Sequence, residues 1–258
     1  MHHAHIDKFA YQDSPIHTLD SRVKFIVTLI FTVLVVSLPR TSVAILFCFA
    51  VGPFAILVLG KIPLRFVAKH IIMVSPFIAL LALTCPWYDR AVVDVAFGPF
   101  SWRISAGWLR CAAIGGKFVV SMMALIAMVS TTRFGQLLAG LERLAVPQVL
   151  ILQLGFIYRY IFVLIDTAQH LLRARTGRKL RHLGLKKELN VAASMVGSLF
   201  TRSLNTAEKI NTAMQARGFD GNWRTVSKLK IRRGDVVFAL AAAVFMFGLY
   251  LGIVPLLK

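Results

Sequence analysis

The chain is poor in acidic residues, with 11 Asp and Glu against 30 Lys and Arg among its 258 residues. No acid lies in the middle of a long apolar run, where the only candidate cations are Lys117 and Arg159. A self-sufficient cation permease or channel usually lines the membrane midplane with ionisable residues. The shortage of ionisable residues in the apolar runs counts against a self-sufficient cation permease or channel, which stays as an alternative.

Cysteine is also scarce, and Cys48, Cys85 and Cys111 have spacings that suit neither a disulfide framework nor a zinc site. The sequence contains no nucleotide-binding loop and no GxSxG nucleophile motif. Membrane phosphatidyltransferases place Asp-Gly before Ala-Arg, whereas the order here is reversed at Ala216-Arg217 and Asp220-Gly221. We therefore expect no enzymatic activity, no metal site and no cofactor in this chain.

Apolar residues are abundant, at 57% of the chain with a mean hydropathy of +0.71. Most of the apolar stretches approach the 20 or so residues with which a helix crosses a bilayer. Only helices satisfy their own backbone hydrogen bonds in such stretches. The sequence thus predicts an all-α integral membrane protein, with apolar stretches at 23–38, 43–60, 70–87, 109–130, 149–165 and 235–257.

The positive charge is concentrated in one part of the chain. Residues 166–233 contain fifteen of the thirty Lys and Arg and a surplus of eleven positive charges. No aromatic residues are interleaved to stack nucleic-acid bases, so a cytoplasmic surface facing anionic lipids is favoured over a nucleic-acid site. Basic flanks at Arg22 and Lys61 place the N-terminus in the cytoplasm, and 86–108 is expected to be an external loop on an aromatic belt.

The number of spans depends on residues 149–165. If this stretch crossed the membrane, the basic segment would lie outside, and Gln153 and Arg159 would sit within the span. A mid-span Arg costs about 2.5 to 3.5 kcal/mol. We therefore predict five spans with 149–165 at the cytoplasmic interface, and six spans with Arg159 paired as the alternative. The expected regions are 1–130 for the tail and spans one to four, 131–233 for a cytoplasmic-side module, and 234–258 for the last span.

The module contains three predicted helices. The first, FGQLLAGLERLAVP, is amphipathic and ends before Pro147. The second runs from the interfacial stretch to a basic end with a cap at Gly184, and the third starts at Leu189 and is capped by Gly218. The third helix carries an apolar stripe formed by Leu189, Ala192, Val196, Leu199, Phe200, Ala207, Ile210 and Met214. The last two helices approach their ends with the same dipeptide, Ala174-Arg175 and Ala216-Arg217.

Four stretches together resemble a known family, the transmembrane T component of energy-coupling factor (ECF) transporters, which are bacterial relatives of ABC importers. The stretches are HIDKFAYQDSPIHTLDSRVKFI, FGQLLAGLERLAVPQVL, LLRARTGRKLR and AMQARGFDG. The opening and ARGFDG are most similar to the cobalt and nickel branch, the CbiQ-type subunit. The resemblance covers essentially the whole chain.

The resemblance implies that two Ala-Arg motifs end two coupling helices and that each Arg docks in a groove of one of two cytoplasmic ATPase subunits. The corresponding residues are Ala174 and Arg175 in the first motif, and Ala216, Arg217 and Gly218 in the second. Thr176 departs from the pattern, because a small residue is expected there. ATP and magnesium would be bound by the ATPases, and a separate membrane subunit would bind the substrate.

The resemblance also implies a multi-pass protein of the bacterial cytoplasmic (inner) membrane. Cobalt is the expected cargo, with nickel and a vitamin as alternatives. The N-terminal histidines His2, His3 and His5 could bind copper or nickel, but a flexible tail is the simpler interpretation.

Overall fold

The computed structural model describes residues 10–12, 14–39, 43–88, 92–97, 100–178, 184–221 and 232–253. These residues form nine helices and one β-hairpin. In chain order the elements are α1 (Ser21–Ser37), α2 (Val43–Leu59), α3 (Leu64–Ala82), α4 (Cys85–Tyr88), β1 (Val92–Phe97), β2 (Phe100–Ser105), α5 (Ala106–Ser130), α6 (Phe134–Arg143), α7 (Gln148–Arg178), α8 (Leu185–Ala216) and α9 (Arg233–Ile253).

The described residues fall into two compact units. One contains those up to residue 140 and those from 232 onward, and the other contains residues 141–221. The boundary predicted between 130 and 131 stays a prediction, because this division reflects packing rather than position in a membrane. We call them the bundle unit and the hairpin unit, since the second consists mainly of the consecutive helices α7 and α8.

Helix α5 is at the centre of the bundle unit, where it contacts α1, α2 and α3. One core joins Phe31 and Val35 of α1 to Phe49 of α2, Val120 of α5 and Met246 of α9. A small residue allows the close approach of α5 to α2, because a Cβ on Gly116 would lie 2.9 Å from the Leu46 side chain. The apolar sequence therefore folds into a helical bundle.

Two lysines connect α1 and α5, which run antiparallel. The Lys24 ammonium donates to the Thr131 carbonyl at 2.9 Å, at the C-terminal end of α5. The Lys117 ammonium donates to the carbonyls of Val36 at 2.9 Å and Leu38 at 2.6 Å, at the C-terminal end of α1. Helix C-termini have free carbonyls and a negative dipole end, which a cation satisfies. Lys117 therefore has a structural role, which further weakens the channel alternative.

A buried carboxylate joins the starts of α1 and α9. Asp235 is 1% exposed, and its two oxygens accept backbone N–H groups from Asp20 at 2.7 Å and Arg232 at 2.6 Å. Asp20 is itself the N-cap of α1 and accepts the Arg22 amide at 3.0 Å. Helix N-termini leave such amides without intrahelical partners. One acid thus satisfies donors at two helix starts and fixes where α9 enters the bundle unit.

The region expected to be an external loop contains a β-hairpin, which the sequence interpretation missed. Along the two strands, pairs of two apolar residues alternate with pairs that include a polar residue. Three pairs are apolar on both strands (Val93–Ile104, Val95–Trp102 and Phe97–Phe100), and the intervening pairs each include a polar residue (Val92–Ser105, Asp94–Arg103 and Ala96–Ser101). This alternation of residue types has the period of two that is typical of β-strands.

Four helical segments are long and apolar enough to cross a membrane, and a shorter apolar helix covers Ile45–Leu59. The four are Leu64–Trp87, Ala106–Ser130, Gln148–Arg178 and Arg233–Gly252. This confirms an α-helical membrane protein with about five spans. Length and composition qualify α7 as well, so the interfacial placement of residues 149–165 stays a prediction.

Arg159 bears on the six-span alternative. It is exposed, and its guanidinium lies 5.7 Å from the centre of the Tyr160 ring. Within the described part of the chain it has no acidic partner, whereas a sixth span would require Arg159 to be paired in the bundle interior. The interfacial placement and the six-span alternative both stay predictions.

Helix α6 agrees with its sequence pattern. It ends at Arg143, before Pro147, as its apolar periodicity predicts. Ala145 then adopts a left-handed conformation with φ of 61°, and the Val146 amide donates to the Leu141 carbonyl at 3.3 Å. This is the six-to-one hydrogen bond of a Schellman-type helix end.

Candidate functional site

The second Ala-Arg motif lies at the C-terminal end of α8. Ala216 is the last helical residue, Arg217 is the C-cap, and Gly218 has φ of 74°. The Phe219 amide donates to the Met214 carbonyl at 3.1 Å, and the Gly218 amide donates to Gln215 at 3.0 Å. This pair of bonds defines a Schellman motif, in which glycine avoids the steric cost of left-handed backbone. The left-handed C-cap predicted at Gly218 is confirmed.

Arg217 is exposed at this end. Within the residues that the structure describes, its guanidinium has no hydrogen-bond or ion-pair partner. Because the chain turns immediately after it, Arg217 is presented at the tip of a 32-residue helix that is about 48 Å long at 1.5 Å per residue. An arginine offers a planar set of donors that suits carboxylates and carbonyls. The geometry provides a free cationic contact for another molecule.

The first Ala-Arg motif has a different setting. Ala174 and Arg175 lie inside the last turns of α7, which continues to Arg178 and includes Gly177. Thr176 also keeps the helical form, and its hydroxyl donates to the Arg173 carbonyl at 2.8 Å. This motif therefore lies within the last helical turns of α7 and does not form a cap as the α8 motif does.

Gly184 was expected to end this helix, and that prediction is wrong. It has φ of −55° and ψ of 157°, and it is the N-cap of α8. Its carbonyl accepts the amides of Lys187 at 2.9 Å and Glu188 at 3.1 Å, which are the first hydrogen bonds of α8. Glycine is favoured at both helix ends, so composition alone does not distinguish them. As a result α8 starts at Leu185, four residues earlier than expected.

Arg175 has a partner within the chain. Its Nη2 atom lies 2.5 Å from Oε2 of Glu188 in the first turn of α8. The two side chains are 23% and 28% exposed, so the pair is partly shielded from water. The ion pair joins the end of α7 to the start of α8. Sequence reasoning missed Glu188, since the contact depends on how the chain turns between the helices.

The apolar stripe of α8 divides into two parts. Ala192, Leu199, Ile210 and Met214 are half-buried, whereas Leu189, Val196 and Phe200 are 61%, 66% and 63% exposed. None of the α8 residues is fully buried. Such contiguous exposed apolar surface is typical of an interaction or membrane surface. Part of the stripe is therefore left uncovered by the hairpin unit and can contact another protein or lipid.

The described residues contain no group of three or more His, Cys, Asp or Glu that could hold a metal ion. The N-terminal histidines His2, His3 and His5 lie outside the described residues, as does His182. The expectation that this chain binds no metal or cofactor stays a prediction.

Comparison with known proteins identifies relatives along most of the chain. Residues 12–227 match the CbiQ family, described as a cobalt transport protein. The chain is 28% identical over 205 residues to the cobalt transport protein CbiQ of Rhodobacter capsulatus, covering 79% of this chain and 80% of that one. It is 27% identical over 266 residues to the energy-coupling factor transporter transmembrane protein EcfT of Bacillus selenitireducens, covering 96% and 97%.

A third relative is the nickel permease LarQ of Lactiplantibacillus plantarum, 30% identical over 122 residues, which cover 47% of this chain and 43% of that one. These relatives are transport components rather than enzymes, and several helices of this chain are apolar enough to cross a membrane. The protein is thus a multi-pass membrane protein of a transport system. The resemblance drawn from the motifs is confirmed, and the chain belongs to the CbiQ cobalt transport protein family.

Proposed function

We propose that this protein is the transmembrane coupling subunit of an ATP-driven importer of the ECF type. In this role α7 and α8 contact two cytoplasmic ATPase subunits through Arg175 and Arg217. The ATPases supply the nucleotide site and the magnesium, so this chain needs no cofactor of its own. Movement of the ATPases displaces α7 and α8 and drives a separate membrane subunit that binds the substrate.

The observation that carries this proposal is the end of α8. Arg217 is exposed at the tip of the long helix, and Gly218 turns the chain directly after it. A docking arginine needs this combination of a rigid support and a free guanidinium.

The exposed stripe of α8 supports the proposed contact with the substrate-binding membrane subunit. Leu189, Val196 and Phe200 form an apolar surface on the helix that carries Arg217. A membrane subunit that packs on this stripe would be connected through one rigid helix to the ATPase that binds its tip. The basic residues around these helices face the anionic lipids of the cytoplasmic leaflet, with the N-terminus on the same side.

Cobalt is the proposed cargo, because the matched family and the Rhodobacter relative are named for cobalt transport. Nickel is the alternative, since LarQ is named a nickel permease, and a vitamin comes third. Labelled cobalt and labelled nickel should each be offered to cells that express the full transporter with or without this chain. Uptake of cobalt that depends on the chain supports the proposal, and equal uptake without the chain contradicts it.

Charge reversal tests the ATPase contacts. We expect Arg175→Glu plus Arg217→Glu to abolish both ATPase co-purification and metal uptake while leaving the helical content unchanged. Arg65→Glu plus Lys69→Glu provides the matched control, because both residues are exposed on α3, outside the two Ala-Arg motifs, and the change in net charge is the same. If the double arginine variant retains its ATPases and its uptake, the coupling role is wrong.

A further inference from the structure

A wide groove lies within the hairpin unit. It has a volume of about 770 Å³ and is lined by the first half of α7, the second half of α8 and Phe219. At the other end of the unit, the Arg175–Glu188 ion pair holds the two helices together. The helices are thus tied at one end and have an open groove between them at the other.

The α7 wall of the groove is apolar over most of its length. Leu152, Phe156, Val163 and Leu164 contribute to it, and they belong to the stretch of α7 whose hydropathy matches that of a membrane helix. The groove therefore offers an apolar surface along the part of α7 that is best suited to contact hydrocarbon.

The α8 wall adds charge of one sign. Arg202 and Lys209 line the groove seven residues apart, which places them on the same side of α8 about 10 Å apart along its axis. Ser203, Asn205 and Thr206 lie between them and also line the groove. The acids of the two helices, Asp166, Glu188 and Glu208, are not among the lining residues.

Neither cation is engaged elsewhere in the described part of the chain. Arg202 and Lys209 are both exposed, and neither has an ion-pair partner among the described residues. An apolar wall facing two free cations and several neutral hydrogen-bonding groups is complementary to an amphiphile with an anionic head.

We infer that the groove between α7 and α8 binds an anionic phospholipid, whose acyl chains lie along the apolar wall of α7 and whose phosphate is held by Arg202 and Lys209. A lipid in this position fills the space between two helices whose connected ends are joined by the Arg175–Glu188 ion pair. The site is independent of the ATPase contacts, because it uses neither Arg175 nor Arg217.

The test uses the full chain in nanodiscs and two photoactivatable lipids that carry the reactive group on an acyl chain. One lipid is a phosphatidylglycerol and the other a phosphatidylcholine with the same chains. We expect phosphatidylglycerol to label the peptides that contain residues 152–167 and 199–214, and to do so more than phosphatidylcholine. Each cation should contribute about fivefold to this preference.

Paired variants distinguish lipid binding in the groove from a general effect of surface charge. Arg202→Ala plus Lys209→Ala should reduce phosphatidylglycerol labelling to the phosphatidylcholine level. Lys186→Ala plus Lys187→Ala removes the same charge from a part of α8 outside the groove and should leave labelling unchanged. Equal labelling by both lipids, or equal loss in both variants, would overturn the inference.

The last part of the test repeats the labelling in the assembled transporter, because a partner polypeptide could occupy the groove instead. Lipid labelling of the groove peptides should persist in the complex. If it disappears and the same peptides crosslink to a partner subunit, the groove is a protein interface and the lipid assignment is wrong. Neither result alters the ATPase proposal, which is tested at different residues.

Discussion

The ends of α7 and α8 carry the same Ala-Arg dipeptide but differ in how they present the arginine. In α8 the helix stops at the motif, glycine turns the chain away, and Arg217 is exposed. In α7 the helix continues past the motif, and Arg175 binds Glu188 at 2.5 Å. A shared dipeptide therefore yields one exposed cation that has no partner among the described residues, and one that is already paired.

The difference implies different costs for docking. Arg217 can bind a partner without breaking an internal contact, whereas Arg175 must first leave Glu188. A pair of this partial exposure is worth up to about 1 kcal/mol. We expect the α8 end to be the stronger of the two proposed ATPase contacts, and the affinity of the α7 end to be lowered by Glu188.

The largest effect should come from truncating the two arginines separately. Loss of a desolvated charged contact at an interface costs at least about 2 kcal/mol, so Arg217→Ala should weaken ATPase binding about 30-fold or more. Arg175→Ala should cost roughly fivefold less, because the intact residue gives up its bond to Glu188 on docking. Affinity of the purified ATPase pair for the chain in nanodiscs measures both. A greater loss for Arg175→Ala would reverse the proposed order.

The two glycines near the motifs should respond oppositely to alanine. Gly218 has φ of 74°, so Gly218→Ala should destabilise the end of α8 by about 1 kcal/mol or more. Gly177 is helical, and a Cβ there meets nothing within 4 Å, so Gly177→Ala should stabilise the end of α7 by about 0.5 to 1 kcal/mol. Hydrogen exchange of the amides in the last turn of each helix measures both effects. A stability change of the same sign at both ends would show that the left-handed backbone at Gly218 and the helical backbone at Gly177 do not determine the response.

Removing the internal partner should sharpen the contrast between the ends. Glu188→Gln frees Arg175 and should raise ATPase affinity by up to about fivefold, the equivalent of one partly exposed ion pair. The gain should vanish when Arg175→Ala is also present. Glu208→Gln is the control, because Glu208 is an exposed acid on the same helix. An identical gain from Glu208→Gln would attribute the effect to net charge alone.

The smallest effect is expected at Thr176, where the sequence departs from the family pattern. Among the described residues, its hydroxyl donates only to the Arg173 carbonyl in the preceding turn. Thr176→Ala should therefore change thermal stability by less than about 0.5 kcal/mol, as is usual for surface substitutions. ATPase affinity should stay within about twofold of the wild type. A larger loss would mean that the α7 motif depends on residue 176 itself.

Local sequence signals predicted the helices and the form of one candidate docking end. The apolar period predicted α6 and α8, and a glycine after the last apolar turn predicted the left-handed cap at Gly218. The same reasoning misplaced Gly184, because glycine serves both helix starts and helix ends. Residue type alone does not give the backbone angles that separate the two cases.

Other features depend on contacts that the sequence order does not reveal. Glu188 meets Arg175 only because α8 folds back along α7, and Lys24 reaches Thr131 across 107 positions of chain. The β-hairpin had a usable signal in the alternation of its strands, which the expectation of an aromatic belt obscured. The hairpin unit's groove likewise arises from two helices together and has no signature in either one.

A photo-crosslinking amino acid at the exposed Gln215 tests the central claim most directly, because this residue lies in the last turn of α8 beside Arg217. Phe200, exposed in the middle of α8 and away from both Ala-Arg motifs, is the matched position. In the assembled transporter, position 215 should crosslink to an ATPase subunit, and position 200 should not. An intact transporter in which position 215 yields no ATPase adduct would contradict the assignment of the α8 tip as the docking site.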